Sequence, residues 1–268
     1  MAMASSYDAP FDAIAATYDE SFTHSLTGEA QRRSTWREFG HAFHPGQRIL
    51  ELNCGTGVDA VHLADRGVEV VACDVAPQMI QVARARLTRV GSRAAIDFRV
   101  LATEDIAELQ REGPFDGVFS NFAGLNCVEN LRRVASDLAG LLKPGAPAVL
   151  CFAGRYVAWE MLWYLAQRDT RKAFRRLQPG PVTGHIAARV SVQVHYRSVR
   201  QLSRTFAPEF RLRRWKGVGV VVPPSYLERH ARQYPNVMTL LESVDRLAGR
   251  CPLVRGLADH VLLTFERR

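Results

Sequence analysis

The stretch from Ile49 to Asp74, ILELNCGTGVDAVHLADRGVEVVACD, carries an apolar run, a glycine turn, a short helical segment and a second apolar run, and it ends on a carboxylate. Short, continuous apolar runs suit strands buried on both faces of a parallel sheet. Parallel neighbours need a crossover, here the helical segment. The unit therefore commits the chain to a doubly wound α/β sheet, and its closing Asp74 lies where such folds place an acid for an adenosine ribose.

The segment Gly55-Thr56-Gly57-Val58-Asp59-Ala60 reads as G-x-G-x-x-A, which suits a nicotinamide dinucleotide and a sulfonium cofactor alike. Glu51, four residues before Gly55, separates them. A pyrophosphate wants backbone N–H groups with no anion nearby, whereas a cofactor bearing a sulfonium and an ammonium is attracted by one. With Glu51-Leu52-Asn53-Cys54-Gly55-Thr56-Gly57, the chain resembles class I S-adenosylmethionine-dependent methyltransferases, whose first motif is E/D-x-G-x-G-x-G. Asn53 stands in place of the first glycine. Asn tolerates left-handed backbone better than other non-glycine residues.

The flanking pattern extends the sheet. Phe11 to Phe43 has helical periodicity and ends at His44-Pro45-Gly46. Helical segments at Val58–Asp65, Gln78–Val90, Glu104–Gln110 and Val128–Leu142 alternate with strands at Val68–Cys73, Ala95–Leu101, Phe115–Asn121 and Ala148–Ala153, which implies a parallel sheet. After Gly154 the alternation fails. Arg155 to Leu177 reads as one long aromatic-rich helix, Ala187 to Tyr196 as a strand, Ser198 to Phe206 as a helix, Phe210 to Val222 as a strand, and His260 to Phe265 as the last strand. The resemblance implies a seven-stranded, mostly parallel sheet closed by a β-hairpin. The expected division is an N-terminal helical flap (1–46), a cofactor-binding core (47–154), an inserted substrate lid (155–209), and a closing hairpin with a helical insertion (210–268).

The resemblance also implies site residues. Glu51, Leu52, Asn53, Cys54, Gly55 and Gly57 form the first motif, Asp74 and Val75 take the ribose, and Met79 lies against the adenine. Asp74 read alone also suits a cap for the helix opening at Pro77, and Met79 ordinary core packing. After the third strand, Ala102 occupies the position of the usual acid, so Glu104, Asp105 or the backbone of Thr103 takes the adenine contact; the same acids suit a helix N-terminus. Asn121 and Phe122 follow the fourth strand, where the family faces the methyl group. This is not the Asn-Pro-Pro-aromatic form associated with exocyclic and side-chain amines. Tyr18, in Tyr18-Asp19, covers the methionine end of the cofactor in the family; a buried Tyr with a satisfied hydroxyl is the plainer reading.

Methyl transfer from a sulfonium is an in-line displacement, so proximity and exclusion of water supply most of the acceleration. Base candidates for a protonated acceptor are His24, His185, His195 and Tyr196. Phe22, His24, Tyr156, Trp159, Trp163, Tyr196 and Tyr226 are candidates for the acceptor pocket, suiting an anionic or aromatic small molecule. A core-facing stripe would place the aromatics of 155–177 equally well.

At 268 residues, 47% hydrophobic and 23% charged, the chain can bury a full core. The N-terminus lacks the apolar region of a signal peptide, and no apolar run reaches membrane-spanning length. Five widely spaced cysteines suit reduced thiols in the cytoplasm, with no metal cluster. The net charge is +8, almost all from Arg, and between Arg168 and Lys216 the only acids are Asp169 and Glu209. That segment is a solvated face or, as the alternative function, the surface of an RNA-binding methyltransferase-like module. It lacks the aromatic spacing of a nucleic-acid fold. A nicotinamide oxidoreductase is the third possibility, and it requires Glu51 to tolerate a pyrophosphate.

Overall fold

A computed structural model describes residues 9–90, 95–187, 190–224 and 227–268. Seven strands form the main sheet: β1 (Arg48–Leu52), β2 (Glu69–Asp74), β3 (Ile96–Val100), β4 (Gly117–Ser120), β5 (Pro147–Ala153), β8 (Phe210–Val218) and β9 (His260–Arg267). Their order is β3-β2-β1-β4-β5-β9-β8, with β9 antiparallel to both of its neighbours. β6 (Val182–Ala187) and β7 (Val190–Val194) pair apart as a small antiparallel ribbon. The order reverses between β1 and β4, and a doubly wound sheet opens its ligand crevice at that switch point, beyond the carboxyl ends of the strands.

Period-two alternation divides the core. Leu50, Leu52, Val71, Cys73, Leu150 and Phe152 face the side covered by α4 (Leu131–Leu141) and α7 (Val199–Phe206). Ile49, Val70, Ala72, Phe119, Val149 and Cys151 face the side covered by α1 (Leu26–Ala42), α2 (Val58–Ala64) and α3 (Pro77–Val90). Glu51 shares the parity of Ile49, so its carboxylate is driven under α1 and α2.

Capping residues set the helix boundaries. Ser25 accepts from the Gly28 N–H at 2.9 Å and starts α1. Residues before it form only a 3-10 turn (Pro10–Ile14) and a π-helical turn (Asp19–Thr23), so the helix expected over Phe11–Phe43 is confined to its second half. Helix Arg155–Leu177 is also broken: α5 (Ala158–Ala166) stops before Arg168, which takes φ +60°, and only α6 (Thr170–Ala173) and a 3-10 turn (Arg175–Leu177) lie beyond it. The strand read at Ala187–Tyr196 is the second arm of the β6–β7 ribbon. Beyond Pro223-Pro224 lie two helices, α8 (Glu228–Ala231) and α9 (Pro235–Ala248). Among the described residues no helix is long and apolar enough to cross a membrane.

Candidate functional site

The turn after β1 takes left-handed backbone at three alternate positions: Asn53 (φ +56°), Gly55 (φ +53°) and Gly57 (φ +73°). The three do different work. A Cβ on Gly57 would lie 2.8 Å from Ala83 and Phe98, so glycine lets α2 close on α3 and β3. A Cβ on Gly55 would meet nothing within 4 Å, because it would project into open cleft. Asn53 keeps the backbone bend and adds two bonds: Nδ2 donates to Thr103 Oγ1 at 3.0 Å, and Oδ1 accepts from Ser120 Oγ at 3.1 Å. It thereby ties the end of β1 to the end of β4 and the start of the segment after β3. Gly124 is its counterpart, since a Cβ there would lie 2.4 Å from the Asn53 Cβ.

Asp74, at the end of β2 and 9% exposed, accepts from the Gly55 N–H at 2.8 Å and the Ala76 N–H at 2.9 Å. Burial raises its carboxyl above the usual range, against the pull of those N–H groups. The adjoining cavity has a volume of about 620 Å³. Of the residues expected around a cofactor, Tyr18, Asn53, Cys54, Gly55, Asp74 and Val75 line it, as do Met79, Thr103, Glu104, Asn121 and Phe122. Three do not. Leu52 is fully buried in the core, Gly57 packs under the turn, and Glu51 is 1% exposed.

Glu51 has an Oε2 with no hydrogen-bond partner, and its carboxyl is raised well above the ordinary range, first by burial and then by the nearby Asp59. Its influence on the cavity therefore passes through its neighbours.

Two charged cavity residues have no signature in the sequence pattern. Arg32 on α1 donates Nη1 to Asp59 Oδ2 at 2.6 Å, and its Cζ lies 4.7 Å from the centroid of the Phe122 ring. Its Nε is buried without a partner. Burial would lower the guanidinium pKa, but Asp59 outweighs it. Asp59 also accepts from Trp36 Nε1 at 2.6 Å and Asn121 Nδ2 at 3.0 Å. Nothing in a one-dimensional pattern links α1 to α2 in this way; the pair exists only once both helices cover Glu51.

Tyr18 is held over the cleft by its neighbour. Asp19 accepts from Thr56 Oγ1 at 2.8 Å and pairs with Arg86, whose Nε donates to the Thr56 carbonyl at 2.8 Å. Burial, opposed by Arg32, pushes the Tyr18 hydroxyl up to about 12. The roof comes from the β6–β7 ribbon, which packs on the Pro10–Ile14 turn and lends His185, Ile186, Ser191, Val192, Gln193 and Val194 to the cavity wall.

The acceptor-side candidates separate accordingly. Tyr196 lines the cavity beneath Arg176, whose Cζ lies 4.8 Å from the ring centroid. His185 lines it too. His24 is exposed and outside it, and His195 does not line it either, its backbone pairing with Asn126 in both directions. Phe22 stacks edgewise on Phe122 at 4.9 Å from behind the wall. The aromatics in and just before α5 also fall outside: Trp159 donates to the Val221 carbonyl at 3.1 Å, while Tyr156 and Trp163 are 45% and 38% exposed. Tyr226 lies outside the described residues. Part of the Arg-rich segment is committed within the molecule. Arg175 and Arg176 hold the buried Glu160, Arg197 donates to the carbonyls of Val128 and Glu129, and Arg213 pairs with Glu266. Among the described residues no group of three or more His, Cys, Asp or Glu side chains could hold a metal ion.

Comparison with known proteins agrees with this geometry. Residues 49–145 match the family described as the methyltransferase domain. By this match residues 49–145 form a methyltransferase domain. A ubiquinone biosynthesis O-methyltransferase from Xanthomonas campestris is 36% identical over 117 residues, which is 41% of this chain and 45% of that protein. The match thus spans less than half of the curated relative.

Two solved structures share the fold. An S-adenosylmethionine-dependent methyltransferase from Mesorhizobium loti aligns with a TM-score of 0.55 at 16% identity, covering 91% of this chain and 99% of its own. The geranyl diphosphate C-methyltransferase of Streptomyces coelicolor aligns with a TM-score of 0.55 at 14% identity, covering 88% and 79%.

Proposed function

We propose that this chain transfers a methyl group from S-adenosylmethionine to an O, N or C atom of a small molecule held under the β6–β7 ribbon. The observation that carries the reading is Asp74: its carboxylate is fastened to the Gly55 N–H at the rim of a cavity wall where a side chain would enter open cleft. That wall admits close approach of a ligand to backbone, and the acid beside it suits paired ribose hydroxyls. When bound, S-adenosylmethionine supplies a methyl group on a positively charged sulfur.

The chain's own residues supply position and a dry site. Asp74 and Val75 take the ribose, Met79 and Thr103 with Glu104 border the adenine, and Tyr18 covers the methionine end. Arg32, which lines the cavity and has an unpartnered Nε, receives the methionine carboxylate, and Asn121 holds Asp59 and Phe122 in register beside it. Glu51 contributes a buried negative potential when ionised. In the acceptor half, His185 and Tyr196 are the groups able to accept a proton, and Ile186, Val192 and Val194 exclude water. Such walls fit an aromatic or partly apolar acceptor better than a nucleic-acid strand, and the internal pairing of the Arg-rich segment argues the same way. Five free thiols suit a cytoplasmic location.

The test is transfer from S-adenosylmethionine carrying a labelled methyl group, with small-molecule extract, RNA and protein supplied separately. Label in the small-molecule fraction is expected. Label confined to RNA or protein contradicts the reading.

A further inference from the structure

A second cavity, of about 600 Å³, shares no lining residue with the first. It lies between the C-terminal half of α1, strands β8 and β9, and the segment after α9. Arg214 and Lys216 are two apart on β8 and so project from one face, opposite Thr264 and Leu262 of β9. Arg250 and Arg255 reach it from the segment after α9, and Glu38 from α1.

Three of these cations share one carboxylate. Arg214 Nη2 lies 3.3 Å from Glu38 Oε2, while Lys216 Nζ and Arg250 Nη2 each lie 3.5 Å from Oε1. All three distances exceed the ~2.7–2.9 Å of a committed charge-assisted bond. The fourth cation, Arg255, stacks 3.9 Å from the Trp215 ring centroid, donates Nη1 to the Trp215 carbonyl at 3.1 Å, and keeps a buried Nε without a partner. Four cationic groups against one carboxylate leave three positive charges uncompensated in the wall. Lys216 is only 9% exposed and Glu38 only 5%, so water screens the floor of the cavity poorly. Arg214 and Arg250 stand at the mouth, with side chains 52% and 63% exposed, so their charge is open to an anion arriving from solvent, while Lys216 and Glu38 form the floor.

We propose that this cavity is a binding site for a small phosphorylated anion, separate from the methyl-transfer site. A carboxylate offers one fork of oxygens, and Glu38 already supplies one; a phosphoryl group presents several oxygens and up to two charges to donors converging from different directions. Two strands and a helix wall a site that is open to solvent on one side, and its volume suits a ligand of metabolite size. Glu38 acts as a resident counter-anion that the ligand partly displaces.

Titration calorimetry of the full chain with inorganic pyrophosphate is the test. One saturable binding event is expected. Substituting Arg214→Gln and Arg250→Gln together should weaken it at least tenfold. Their side chains are 52% and 63% exposed, so the fold should survive, and an unchanged circular dichroism spectrum checks this. Glu38→Gln, which removes the competing carboxylate, should tighten binding. Absence of a saturable event in the parent, or equal affinity in the double variant, overturns the proposal. Tighter binding of a short RNA than of pyrophosphate, lost in the same double variant, overturns the small-ligand assignment in favour of a polymer.

Discussion

Replacing Asn53 by glycine restores the residue found in the motif that this chain resembles, yet it should destabilise the protein. The substitution removes two neutral hydrogen bonds, to Thr103 and Ser120, which are 4% and 0% exposed. At ~0.5–1.5 kcal/mol each, the loss is about 1–3 kcal/mol. The backbone gain is small. Left-handed φ costs an ordinary residue ~1–2 kcal/mol and Asn less, so glycine relieves less than that in the folded state, and it costs ~0.4–1 kcal/mol through the greater entropy of the unfolded chain. A net loss of roughly 1–2 kcal/mol remains, or a Tm lowered by about 2–8 °C for a chain of this size.

Asn53→Ala loses the same bonds and keeps the strained φ, so it should fall about 1 kcal/mol further than glycine. Urea unfolding with an unchanged slope measures both. A double-mutant cycle adds an independent signature: Gly124→Ala should destabilise the parent strongly and the Asn53→Gly background much less, because its Cβ would meet the Asn53 side chain. Asn53→Gly more stable than the parent, or equal costs of Gly124→Ala in both backgrounds, refutes the reasoning.

Asp74→Asn leaves one acceptor where two N–H groups now bind, and losing a charged bond of ~1.5–3 kcal/mol should weaken S-adenosylhomocysteine binding roughly 10–100-fold by calorimetry. His185→Gln should slow turnover about 10²–10⁴-fold for an acceptor that must lose a proton, with cofactor affinity unchanged, whereas His195→Gln should have little effect. Burial alone would raise the Asp259 carboxyl, but His260, Arg176 and Gln31 outweigh it and hold it below the usual range. A depressed folded pKa means stability present above the unfolded value, about 3.9, and lost as pH falls below it. Acid unfolding monitored by circular dichroism should therefore be shallower in Asp259→Asn than in the parent.

The sheet was legible because its evidence is local. Short apolar runs bounded by glycine turns reveal β1 to β5, and the acid at Asp74 closes the unit that they build. Breaks that depend on a single backbone angle were not legible: nothing marks Arg168 for φ +60°, so α5, α6 and the 3-10 turn after them looked like one helix. β6 was missed because Val182-Thr183-Gly184-His185-Ile186-Ala187 gains its strand character only from pairing with β7. That omission bears on the proposed acceptor pocket, because the ribbon roofs the cavity and Tyr156, Trp159 and Trp163 do not line it. Glu51 is legible in the sequence as an acid near the turn, but its parity with Ile49 places it beneath the wall, where only tertiary packing brings Arg32 and Asp59 to it. The excess positive charge was visible in composition alone; its concentration between α1 and β8 required the fold.

Calorimetric titration of the parent protein with S-adenosylhomocysteine tests the central claim most directly. Saturable binding of one molecule per chain, with no comparable binding of NAD or NADP, is the expected result. Failure to bind S-adenosylhomocysteine, or tight binding of a nicotinamide dinucleotide at the same residues, would contradict the account.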